Sequence, residues 1–145
     1  MQTASFSRLV ALGFISGFAA VLIFHQGIWY LLYHADIIPA GRAPWPTDAT
    51  DPFGVPKVFS LAFWGGIWGA ALNLALNHLR GPTYWIAWIV VGALALTLVA
   101  FFVVPHLKMQ PIPALWPAFA IGCALNGAWG LGTALFLQLM AVGRE

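Results

Sequence analysis

The chain has 145 residues, 61% hydrophobic and 7% charged, with a mean hydropathy of +0.87. Ten charged residues (Lys+Arg 6, Asp+Glu 4) stand against about 36 for a soluble domain of this length at roughly 25% charged, too few to coat a globule in water, so lipid is the solvent around much of the chain. A net charge of +2 without a run of Lys or Arg excludes a nucleic-acid footprint, the lone Cys123 excludes an intrachain disulfide or thiolate cluster, and the length leaves no room for a separate soluble catalytic domain.

Taken in chain order, the first apolar stretch covers about 9–32. Arg8 precedes it, as in a signal peptide. The run is long for such a signal, however, and no small-x-small cleavage site sets it apart from Trp29 and Tyr30, so a retained helix is expected. A Pro-rich polar segment follows over about 35–57. Its Asp36, Asp48 and Asp51 are irregularly spaced, which suits a solvated loop better than a cation site. Further spans are expected at about 58–79, 84–104 and 115–142, each long enough to cross a hydrocarbon core. All ten prolines lie between the spans or at their edges, as helix ends require. These features predict an all-α integral membrane bundle of four transmembrane helices in a single domain over 1–145.

Four spans put both termini, Arg8, Arg80 and Arg144 on one side and Arg42, Lys57 and Lys108 on the other. Three basic residues face three, so charge does not orient the chain. The expectation taken here is a cytoplasmic location for the termini, in a cell inner membrane, with the long loop outside. The second and fourth spans resemble copies: Pro56 precedes Trp68-Gly69 by twelve residues, Pro117 precedes Trp129-Gly130 by twelve, and Gly66 and Gly127 match at the same offset of 61. Two repeated helical hairpins would explain this.

Small and amide residues recur at helical spacing: Gly65, Gly69, Asn73 and Asn77 on the second span, Gly122, Asn126 and Gly130 on the fourth, Gly13 and Gly17 on the first. Glycine lets backbones approach and Asn bonds across the contact. Packing within one bundle is the ordinary account of such a seam; a solute path or homo-oligomer contact is the functional one. Asn126, near mid-span, needs a partner, with Asn73 or an indole as candidates.

Trp29, Trp45, Trp85, Trp88 and Trp116 fall near span ends, as interfacial belts do. Trp64, Trp68 and Trp129 lie within spans, where they pack on the glycine stripes or stack on a bound ring such as a quinone or porphyrin. His25 and Gln26 are adjacent polar residues inside the first span and form, with these three Trp, the candidate ligand-binding set. His25 and His106 are the weak candidates for a metal, as haem ligands, although Pro105 places His106 at a helix end. No motif argues for an enzyme.

The segments Phe24-His25-Gln26, Pro52-Phe53-Gly54-Val55-Pro56, Ser60-Leu61-Ala62-Phe63-Trp64-Gly65-Gly66 and Asn126-Gly127-Ala128-Trp129-Gly130-Leu131-Gly132 resemble a group of small inner-membrane proteins of Gram-negative bacteria. The resemblance implies a four-helix inner-membrane protein and brings no activity with it. The leading functional expectation is a small oligomeric protein that passes or binds a solute. The alternative is an accessory subunit of a larger membrane complex, redox or pigment-bearing, with a partner membrane subunit.

Overall fold

A computed structural model describes residues 5–142. Four helices within them are long and apolar enough to cross a membrane: α1 (Phe6–His34), α2 (Lys57–Leu76), α3 (Gly81–Leu107) and α4 (Ala118–Val142). A short antiparallel hairpin, β1 (Ala49–Thr50) with β2 (Val55–Pro56), interrupts the loop between α1 and α2. The chain is an all-α, multi-pass membrane protein. Arg8 and Arg80 lie at one end of the bundle and Arg42, Lys57 and Lys108 at the other, here called the loop end. Arg144, expected at the end of Arg8 and Arg80, lies outside the described residues.

Two helix ends differ from expectation for local reasons. α2 stops at Leu76 because Asn77 turns its amide onto the Leu74 carbonyl at 2.7 Å. Arg80 then donates to the carbonyls of Asn77, at 2.5 Å, and Leu79, at 2.7 Å, in the turn beyond the helix, while the Leu79 N–H caps the Leu76 carbonyl at 3.0 Å. Gly81, at φ 58°, makes the turn, and Pro82 lies in the first turn of α3, where its missing N–H costs nothing. At the other end α3 continues through Pro105 to Leu107, after a widened π-turn at Val99–Val103.

Lipid tails are as apolar as leucine, so helices in a bilayer associate by close backbone packing rather than by hydrophobic exclusion. α1 and α2 meet through Gly13 and Gly17 against Gly65 and Gly69; a Cβ on Gly13 would lie 2.5 Å from the Gly69 carbonyl oxygen and 2.7 Å from Ala70 Cα. α3 and α4 meet in the same manner, Gly92 against Asn126 and Gly130, and Gly130 against the Trp88 carbonyl. Contacts of α1 with α4 join the two pairs. Trp129 Nε1 donates to the Gly17 carbonyl at 2.9 Å, and Phe24 lies on Gly132 and edge-on to Phe136. The core runs along this junction through Ala20, Val21, Tyr84, Trp88, Trp129 and Ala134.

The helices therefore stand in the lateral order α2, α1, α4, α3. α2 and α3 contact one another sparsely, along the Gly81–Val91 part of α3 near the turn that joins them. Towards the loop end they part.

Candidate functional site

The parting of α2 and α3 opens a lateral cleft of about 890 Å³. One wall is α2, through Ser60, Leu61, Trp64, Trp68 and Ala71; the other is α3, through Leu96, Val99, Ala100 and Val103. The floor comes from the two central helices, with Val21 and His25 of α1 and Asn126 and Trp129 of α4. Thr50, Lys57 and Lys108 stand at the loop end.

Widened helical turns build much of this lining. Val21 and His25 bound the π-turn Val21–His25, Leu96 ends the π-turn Gly92–Leu96, and Val99, Ala100 and Val103 belong to Val99–Val103. A π-turn carries one extra residue per turn and shifts the side chains that follow it; such turns cluster at functional sites.

The turn in α1 also organises the loop. Gln26 N–H bonds the Val21 carbonyl, five residues back, and the Leu22 carbonyl in this bulge accepts the Trp45 indole at 2.9 Å. Gln26, fully buried, accepts the Trp45 backbone N–H through Oε1 at 2.6 Å. Trp45 has φ 49°, a costly conformation for a bulky residue, and these two bonds hold it there. Trp29 Nε1 to the Arg42 carbonyl, at 2.9 Å, and Tyr33 OH to the Ala40 carbonyl, at 3.0 Å, fasten the rest of the loop. Between loop and helices lies a second, polar cavity of about 660 Å³ that includes Trp29, Arg42, Trp45, Asp48 and Lys57.

Since Gln26 Oε1 accepts from Trp45, its Nε2 is the donor to His25 Nδ1, at 3.3 Å. The imidazole proton then sits on Nε2, the one ring donor left for an occupant of the cleft. Asn126 donates to Thr97 Oγ1 at 2.9 Å, so its partner is a hydroxyl on α3 rather than Asn73 or an indole.

The structure brings together His25, Trp64, Trp68 and Trp129 of the ligand-binding set, all in this cleft. Gln26 lies behind it as the loop's anchor. The polar-small seam divides. Gly65 and Gly69 form the α1–α2 contact, where Asn73 donates to the Leu9 carbonyl at 2.8 Å. Gly122, packed on Thr97, joins Asn126 and Gly130 in the α3–α4 contact, while Asn77 serves the end of α2. Both seams are filled by the chain's own helices. His106 is exposed and outside the cleft lining, so it does not share the cleft with His25. Among the described residues no group of three His, Cys, Asp or Glu side chains is placed to hold a metal ion.

From the sequence Trp45 reads as a belt residue, and Lys57 and Lys108 only as charges flanking spans. The buried Gln26 was the one signal for the first of these. The apolar wall residues of α3 carry no signal of their own. Comparison with protein-family models, curated proteins and solved structures returns no match.

Proposed function

We propose that the protein binds a small apolar or amphiphilic molecule that enters sideways from the bilayer between α2 and α3. The lateral cleft carries this reading: about 890 Å³ falls within the usual range of small-molecule sites. Its mix of aromatic walls with a few polar groups, His25 and Asn126, is typical of such sites. The seams support binding over passage, because Gly65, Gly69 and Gly130 are occupied by backbone contacts within the chain.

The test fills the cleft. Ala100 is an exposed wall residue, and Ala100→Phe places a ring in the opening. Wild-type protein released from phosphatidylcholine nanodiscs in a native mass spectrometer should retain one lipid molecule per chain, and the variant none. Equal retention by both overturns the reading. The rival reading, an accessory subunit, seats a partner helix in the same cleft; a stoichiometric partner surviving purification in mild detergent would favour it.

We infer also that the two hairpins are repeats. Gly69 and Gly130, 61 positions apart, each press on the backbone of the helix before them, which supports the match of the second and fourth helices.

A further inference from the structure

The chemistry of the cleft changes along its length in a definite order. Lys57 begins α2 and Lys108 follows the last residue of α3, so both ammonium groups belong to the loop end. At 20 residues, α2 rises about 30 Å, the thickness of a hydrocarbon core, which sets Lys57 at the membrane boundary. Ala71, the far end of the same wall, lies about 21 Å deeper by the same rise, past the bilayer midplane. Between those levels the lining is aromatic and aliphatic apart from Ser60 and Asn126. Among the described residues no Asp or Glu lines the cleft. Lys57 also borders the loop cavity, whose other charged groups are Arg42 and Asp48.

We propose that the cleft takes an anionic amphiphile, a phosphate monoester on a long apolar chain, with the phosphate at Lys57 and Lys108 and the chain against Trp64, Leu96 and Trp129. The assignment rests on the binding reading above and gives it a ligand class. Charge complementarity selects the headgroup. Lysine binds phosphate as a point charge, and two lysines at one end of a cleft that no described Asp or Glu lines, Lys108 about 10 Å beyond Lys57 by helical rise, favour a doubly charged headgroup over a carboxylate. A zwitterionic headgroup brings a cation of its own to the same place. The aromatic and aliphatic side chains of the walls receive the chain, and Asn126 keeps its bond to Thr97.

The test uses the full chain in nanodiscs of phosphatidic acid and phosphatidylcholine, equimolar and matched in acyl chains, with retained lipid identified by native mass spectrometry. Wild-type protein should hold phosphatidic acid over phosphatidylcholine by on the order of tenfold to thirtyfold. Lys57→Gln/Lys108→Gln should keep a lipid but lose the preference, and Lys57→Arg/Lys108→Arg should restore it. A retained lipid without preference, or a preference that the Gln variant keeps, overturns the headgroup assignment and leaves the cleft reading intact. No retained lipid on the wild type overturns both. If excess inorganic phosphate abolishes the preference, the lysines serve a free anion and the lipid assignment fails.

Discussion

At Gly69 the backbones of α1 and α2 are in contact, and a Cβ there would run into the Gly13 carbonyl oxygen. Gly27, on the same bundle, would meet nothing within 4 Å. The two glycines look alike in the chain and differ entirely in what surrounds them. Gly69→Ala should destabilise the fold by about 1–3 kcal/mol, because rigid backbone cannot yield as a side chain does. Gly27→Ala should be neutral or stabilising by up to ~1 kcal/mol through helix propensity. Thermal unfolding in detergent, followed by circular dichroism, checks both; equal midpoints for the two variants would sink the argument. Asn126 makes the same point for polar residues. Its cost in lipid demanded a partner, but Thr97 could not be named before the helices were paired.

The loop between α1 and α2 reads as solvated by composition, yet Trp45 ties it to α1 by two bonds, beside those from Trp29 and Tyr33. The widened turn of α1 presents the Leu22 carbonyl, and Trp45 fills it while its own N–H meets Gln26. Removing the indole by Trp45→Phe takes the donor from a partly exposed carbonyl, at about 0.5–1.5 kcal/mol. Amide exchange over residues 35–56 should then quicken by roughly twofold to tenfold, while the α1–α2 glycine contact keeps its protection. Exchange unchanged across the loop would show that Trp45 does not anchor it. Helix positions were legible because apolar runs and prolines mark them. A widened turn leaves no such mark, and the indole that bonds to it comes from 23 positions further along the chain.

For the molecule as a whole, the order α2, α1, α4, α3 matters more than the helix count. Each helical pair closes on its own glycines, and α1 with α4 makes the joint between pairs, through Trp129 and Gly17. Helices of this kind insert separately and then pack. Segments 1–80 and 81–145, expressed together, should therefore assemble into a complex that purifies through a tag on either half. Trp129→Phe should weaken that complex by removing the buried bond to Gly17. Halves that fail to associate would place the decisive contact at the α2–α3 turn instead. The sparse α2–α3 contact that makes the halves separable is also what opens the cleft.

Residence in a membrane, four spans and the use of glycine stripes for packing follow from the sequence alone. Each depends on quantities that run along the chain: too little charge for water, apolar length against bilayer thickness, small residues at helical spacing. His25, Trp64, Trp68 and Trp129 were likewise legible as unusual, because polar or indole groups inside a span need an explanation. Only tertiary structure decided that Gly13 and Gly17 take Gly65 and Gly69 as partners, that Asn77 ends a helix instead of extending the seam, and that Lys57 and Lys108 stand at the mouth of one cleft. Those outcomes turn on contacts between distant positions, Trp129 and Gly17 being 112 residues apart. In lipid, where every apolar face is equally at home, shape and backbone hydrogen bonding choose the partner.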